Sequence, residues 1–274
     1  MKFKNVWSVF FSGTGTTEKI VKTIAGEISA GLGIPEKTFD FSLPEARKDV
    51  LSFCKDDLVI FGTPVIAGRV PNLLLKYLET ISGGGAAAVP VVLYGNRNFD
   101  DALIELRDIL EKDGFHTVAA AAFIGEHSFS EILAKGRPDE ADLNLAKEFA
   151  AKITEKVNAM QSYGDKPVEV DGVPSPYRGY YQPRDRQGNH IDIRKVKPVT
   201  GPECDNCMVC VKICPMGSVD PENVKEIPGI CIKCCACIKR CHKKAKYYDD
   251  AGYLFHKQEL EEMYTRRAEP KWFF

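Results

Sequence analysis

Residues 3–32 read FKNVWSVFFSGTGTTEKIVKTIAGEISAGL. Phe3 to Phe11 is an apolar run of the kind that forms a buried strand. Thr16 to Leu32 then carries Ile20, Val21, Ile24 and Ile28 at the spacing of one helix face. Between them lies the polar turn Ser12-Gly13-Thr14-Gly15-Thr16-Thr17. The same alternation continues along the chain. Asp57 to Gly62 (DLVIFG) reads as a strand, and Pro71 to Ile81 (PNLLLKYLETI) as a helix with Pro at its first position. Ala88 to Gly95 (AVPVVLYG) reads as a strand, Phe99 to Asp113 as a helix and Phe115 to Gly125 as a strand. Pro138 to Met160 closes the series as a long amphipathic helix. Strands that are apolar throughout, separated by helices, imply a parallel sheet covered on both faces. Residues 1–160 are therefore expected to form a doubly wound α/β domain.

From 161 to about 200 the texture changes to Pro, Gly, Tyr, Arg and Asp with no sustained period. This stretch is expected to be a connector packed on its neighbours, held by Tyr177, Tyr180 and Tyr181. It is too long and too aromatic for a plain flexible linker. The whole chain of 274 residues has 37 basic and 38 acidic side chains, a net charge of -1, and is 44% hydrophobic. That composition excludes global disorder. The charge balance gives no reason to expect nucleic acid or an anionic membrane as partner. No apolar run approaches the roughly 18 residues of a membrane span. The opening Met1-Lys2-Phe3-Lys4-Asn5 carries no secretory signal, so a cytoplasmic location is expected.

Nine of the ten cysteines fall between Cys204 and Cys241; Cys54 stands alone and reads as structural, in a helix end. Cys204, Cys207, Cys210 and Cys214 form C-x2-C-x2-C-x3-C, and adding 27 to each number gives Cys231, Cys234, Cys237 and Cys241. Such crowding in a cytoplasmic chain argues for metal ligation over a disulfide scaffold. Zinc ribbons use well-separated pairs, whereas this spacing, with Pro215 after the fourth cysteine, is the 4Fe–4S pattern. Three close thiolates wrap three corners of a cube, and the fourth cysteine serves the neighbouring cluster. One cluster is then assigned to Cys204, Cys207, Cys210 and Cys241, the other to Cys231, Cys234, Cys237 and Cys214.

On these residues, 201–274 resembles the bacterial two-cluster ferredoxins, a small α+β domain here followed by a C-terminal helix. It departs from them in His242 where the first repeat has Pro215, in the additional Cys235, and in the basic run Lys239, Arg240, Lys243, Lys244 and Lys246. Cys235 is read as a small buried hydrophobe, with ligand swapping with Cys234 as the alternative. The basic run reads as a solvated face, or as a docking face for an acidic electron donor.

The Ser12–Thr17 turn offers backbone N–H groups, a helix N-terminus and hydroxyls to a phosphate monoester, although ordinary capping would also use Ser, Thr and Gly there. It contains no Lys or Arg and is not a P-loop. It follows the first strand of a doubly wound sheet, where ligands bind at the strands' carboxyl ends. With the loops Thr63–Pro71 and Gly95–Asp101, the first half resembles the flavodoxin family, whose sheet has five parallel strands. That resemblance implies FMN. It places the phosphate on Ser12, Gly13, Thr14, Gly15, Thr16 and Thr17, and the isoalloxazine ring between Pro64, Val65, Ile66, Ala67, Gly68 and Gly95, Asn96, Arg97, Phe99. Flavodoxins usually have Asn where Thr16 stands and an aromatic near Ile66, which leaves Phe99 as the ring-stacking candidate or else a core residue. His127 and Ser128 follow the last strand, as a ligand contact or as loop caps.

The domain order resembles the flavodoxin–ferredoxin fusion proteins, iron–sulfur flavoproteins of anaerobes. It implies an intramolecular electron-transfer protein passing single electrons between an external low-potential carrier, two 4Fe–4S clusters and FMN, with a redox partner protein. The alternative is an FMN-dependent reductase of a quinone, nitro compound or disulfide fed by its own clusters. At least one of Arg69 and Arg97 is expected near the reducible end of the flavin.

Overall fold

The computed structural model describes residues 2–164 and 166–274. The first half runs β1 (Asn5–Phe10), α1 (Thr16–Leu32), β2 (Glu36–Asp40), β3 (Asp57–Pro64), α2 (Leu75–Leu78), β4 (Ala87–Tyr94), α3 (Ala102–Lys112), β5 (His116–Thr117), β6 (Ala120–Ile124) and α4 (Glu140–Ala159). The remainder holds β7 (Val199–Thr200), α5 (Val209–Lys212), α6 (Ala236–Lys239), β8 (Lys246–Tyr247), α7 (Ala251–Met263) and β9 (Lys271–Phe273).

The main sheet has the order β2-β1-β3-β4-β6-β9, with the short β5 beside β4. All pairs except the last are parallel. The order reverses between β1 and β3, which makes this a flavodoxin-like, doubly wound sheet with its crevice at that reversal. β4 and β6 are buried at every residue because helices cover both faces. On one face α1 buries Ile20, Val21, Ile24 and Ile28, and α4 buries Phe149 and Ile153. Each such side chain contributes about 1.5–3 kcal/mol by leaving water. The other face is built around Phe11, Phe41, Phe61, Tyr77, Leu103 and Leu106.

Four elements differ from the sequence reading. The stretch 115–125 is not one strand but two, β5 and β6, each paired with β4. The stretch 71–81 is not one continuous helix: a 3-10 turn at Asn72–Leu74 leads into the four-residue α2. β2 has no buried residue, so nothing in its pattern marked it. β9 comes from the far end of the chain and pairs antiparallel with β6, Ala121 opposite Trp272. The Trp272 and Phe274 rings then pack on Phe149 at 5.6 and 5.4 Å. The cysteine-bearing part is therefore closed at its end by a strand of the first sheet.

The connector lies along α3 and the loops beside it. Tyr177 Oη donates to Asp108 (2.8 Å), Tyr180 Oη to the Val70 carbonyl (3.0 Å), and Tyr181 N–H to the Ala67 carbonyl (2.8 Å). Asp101, fully buried at the start of α3, accepts from the Val173 and Arg178 N–H groups at 3.0 and 2.8 Å and pairs with the Arg178 guanidinium. These bonds hold its carboxyl at about 2.

Beyond the connector, the C-terminal part is a small α+β region with two copies of one backbone motif. α5 and α6 are related by the offset of 27 found in the sequence. Left-handed residues recur at the same offset: Asn206 and Lys233 (φ 57 and 58), Met208 and Cys235 (φ 63 and 59), Gly217 and Lys244 (φ 59 and 51). Among the described residues no helix is long and apolar enough to cross a membrane.

Candidate functional site

β1 delivers the turn 12–17 to the carboxyl edge of the sheet, and α1 leaves from it. Ser12 N–H donates to Ser42 Oγ (2.7 Å), and Ser12 Oγ accepts from Glu18 N–H (3.1 Å). Gly15 is the N-cap of α1 at φ 93 and has no side chain to cap the helix; of the first-turn amides, Glu18 N–H is taken by Ser12 Oγ. Among the described residues no protein acceptor engages the N–H groups of Gly13, Thr14, Gly15, Thr16 and Thr17. Consecutive free N–H groups at the positive end of a long helix make a concavity for an anion. This donor set fits a phosphate monoester.

The two flanking loops are drawn tight. Val65 N–H donates to the Leu93 carbonyl (2.7 Å), and Ile66 and Arg69 close a turn through Ala67 (φ 51) and Gly68 (φ 77). Pro64 ends β3 opposite Leu93. Gly95 lies against the His127 ring. Asn96 is 3% exposed; its side-chain N–H group donates to the carbonyls of Tyr264 (2.7 Å) and Arg266 (2.6 Å) and its oxygen accepts from Ala268 N–H (3.2 Å). Phe99 is 5% exposed and packs on Tyr94 in the core. Arg69 is bidentate to Glu105 (2.8 and 2.6 Å) between the rings of Tyr177 and Tyr180. Arg97 pairs with Asp100 and lies 4.4 Å from the Tyr181 ring. Both cations are thus matched by carboxylates. His127 Nδ1 accepts from Phe129 N–H (3.1 Å), and burial pushes this imidazole down to about 3, helped by nearby cationic groups.

The thiols gather in two groups. Cys204, Cys207, Cys210 and Cys241 line one small hollow, with Cys237 and Val224 in its wall. In the other, Cys231 and Cys214 lie close enough to Cys234 for their charges to add to burial in raising its thiol to about 12. Cys237 is raised by burial and then by Cys234 and Cys231. Thiols raised this way ionise only against a compensating cation, which a metal centre supplies. Amides support both groups alike: Ser218 N–H donates to Cys214 Sγ and Ala245 N–H to Cys241 Sγ, each at 3.3 Å. Two sets of four thiols fit two metal clusters. Cys235 adjoins the second group, near enough to Cys234, Cys231 and Cys237 for their charges to interact; it is 3% exposed, with its Sγ 3.6 Å from Tyr253 Oη. His242 Nε2 sits 2.8 Å from Asp205 Oδ2 on the surface near Cys207. Cys54 is exposed in a loop, not in a helix end, with Sγ 3.3 Å from Asp57 Oδ2.

The two halves meet at the turn 12–17. An ideal Cβ on Gly13 would lie 3.0 Å from Cys234 Cβ and 3.4 Å from its Sγ. One on Gly15 would lie 3.4 Å from an Arg240 guanidinium nitrogen. Lys239 pairs with Glu126 and donates to the carbonyls of His127 (2.9 Å) and Ser130 (3.0 Å). Arg47 donates to the Pro215 carbonyl. Of the basic run, Lys239 and the buried Lys246 serve structure, while Arg240, Lys243 and Lys244 are exposed. No spacing in the sequence could have placed Arg240 or Cys234 beside a loop more than 200 residues earlier.

The fold and this junction define a flavodoxin-like α/β module joined to a twofold cysteine repeat. No family model matches the chain, and no curated protein matches it. Solved structures align with its first part. An archaeal flavodoxin is 15% identical over 57% of this chain and 99% of its own, with a TM-score of 0.41. A flavodoxin of Streptococcus pneumoniae TIGR4 is 17% identical over 56% of this chain and 99% of its own (TM-score 0.38). The rubredoxin oxygen:oxidoreductase of Desulfovibrio gigas is 18% identical over 58% of this chain and 37% of its own (TM-score 0.42). The assignment of the fold rests on the strand order itself.

Proposed function

We propose that the protein transfers single electrons between an external redox protein and FMN through two 4Fe–4S clusters. When bound, FMN exchanges one or two electrons and each cluster exchanges one. The turn Ser12–Thr17 would hold the FMN phosphate on its free N–H groups. The loops 64–68 and 95–99 would bracket the ring, with Asn96 fixing the second loop to the returning C-terminal segment. Cys204, Cys207, Cys210 and Cys241 would ligate the outer cluster, whose Cys207 is exposed to a partner. Cys231, Cys234, Cys237 and Cys214 would ligate the inner one. The observation that carries this reading is the closeness of Cys234 to Gly13, where a Cβ would lie 3.0 Å from Cys234 Cβ; with the assignments above, an inner-cluster ligand would lie against the phosphate turn.

A second reading, a reductase of a small aromatic acceptor, is favoured by a cleft of about 400 Å3 between the connector and α7, lined by Tyr180, Tyr181, Arg184, His190, Glu259 and Tyr264. Anaerobic reconstitution with iron, sulfide and FMN, then a redox titration followed by visible absorption and EPR, tests the main reading. One flavin and about eight iron atoms per chain are expected. A chain that takes up zinc in preference to iron, or that holds no flavin, would overturn it.

A further inference from the structure

We infer that Arg240, carried by the cysteine repeat, is the phosphate-charge ligand of the flavin site in the α/β half, and so sets the preference for FMN over riboflavin. The inference rests on the proposed FMN site and adds to it a residue from outside the flavodoxin-like module.

The turn 12–17 has no cation of its own. The nearest lysines in the chain are committed elsewhere: Lys19 Nζ donates to the Pro138 carbonyl (2.9 Å), and Lys22 pairs with Glu18 (2.7 Å). Free amides and the helix terminus offer about half a unit charge. A phosphate monoester near neutral pH carries more than one. Arg240 stands at that place, with a guanidinium nitrogen 3.4 Å from the Cβ position of Gly15, the N-cap of α1. Among other arginines around these loops, Arg69, Arg97, Arg137 and Arg178 are matched by Glu105, Asp100, Asp142 and Asp101, while Arg47 is spent on the Phe41, Ser42 and Pro215 carbonyls and Arg266 on the Arg97 carbonyl. Arg240 has no carboxylate partner among the described residues.

Its backbone is held on both sides. It caps α6 through its N–H to the Ala236 carbonyl (3.0 Å), next to Lys239, which is anchored on the 126–130 loop. Cys241 follows it. A planar guanidinium fits phosphate oxygens in pairs, and such charge-assisted bonds are the strong ones.

The test uses the full chain with its clusters in place and its flavin removed, titrated with FMN and with riboflavin by quenching of flavin fluorescence. Arg240→Gln is expected to weaken FMN about tenfold or more and leave riboflavin unchanged. Arg240→Lys, which keeps the charge, is expected to recover most of the loss. Iron content equal to wild type shows that the repeat is intact, and the Lys variant decides the matter should the Gln variant lose iron. Equal loss for both flavins, or FMN affinity unchanged in Arg240→Gln, would overturn the inference while leaving the FMN site standing. A wild-type chain that binds neither flavin, or binds both equally well, would overturn it at its base, and only failure to bind either would remove the FMN reading as well.

Discussion

Asp142→Asn is the substitution whose effect the structure sets most firmly. Arg137 and Asp142 are 3% and 0% exposed and form a bidentate pair. Arg137 also donates from Nη1 to the Ala268 carbonyl (2.7 Å), and its own carbonyl accepts from Glu126 N–H (2.8 Å). Ala268 N–H in turn reaches Asn96. One buried ion pair thus ties α4, the 126–137 loop, the returning C-terminal segment and the 95–99 loop. Neutralising Asp142 leaves a buried guanidinium without its counter-charge, which costs about 3–5 kcal/mol. At about 2–4 °C per kcal/mol for a chain of this size, the melting midpoint falls by about 6–20 °C. The assay is anaerobic thermal unfolding followed by far-ultraviolet circular dichroism. Asp139→Asn is the control: that pair with Arg267 is 41% and 44% exposed, Asn still caps α4, and the loss stays under about 1 kcal/mol. A midpoint for Asp142→Asn as close to wild type as the control's would refute the reasoning.

Cys235→Ala is expected to keep the full iron content because that thiol is engaged by the Lys233 carbonyl and Tyr253 Oη, whereas Cys234→Ala is expected to lose about half of it; iron and sulfide analysis separates them. Gly13→Ala brings a Cβ to 3.0 Å from Cys234 Cβ and is expected to shift that side chain by a few tenths of an ångström, read as a changed EPR signal from the inner cluster alone. Burial holds His127 at about 3 and His256 at about 4, below the ordinary 6.5. The unfolded chain therefore binds these protons first as pH falls. Their contribution is full above about pH 6.5 and is lost below it by up to about 1.4 kcal/mol per pH unit for each histidine. Replacing both by Gln is expected to flatten the stability profile between about pH 5 and 6.5, measured by urea unfolding.

Much of this architecture is written in local patterns. β1, β3, β4 and β6 are buried on both faces and so appear as apolar runs, and the helices α1, α3 and α4 lie within a few residues of their periodic stretches. The cysteine repeat predicts its own backbone symmetry, because each copy needs the same left-handed residues to turn amides and thiols inward. What escapes the sequence is whatever depends on distant partners. β2 is an exposed edge held by β1, and its EKTFD carries no alternation. β9 is three residues whose strand form exists only through β6. Phe99 suits a ring-stacking loop and a core helix start equally well by type, and burial alone places it in the core. Arg69 and Arg97 look like free charges until Glu105 and Asp100 are seen beside them. Arg240 looks like one member of a solvated basic run until Gly15 is found under it.

The central claim is a route from the outer thiol group through the inner one to the flavin within one chain. Anaerobic stopped-flow mixing of the reconstituted protein with a one-electron donor, with cluster and flavin absorption followed separately, tests it most directly. The account predicts cluster bleaching first, then flavin reduction at a first-order rate independent of protein concentration. Flavin reduction whose rate rises in proportion to protein concentration would mean that electrons cross between molecules, and would contradict the route.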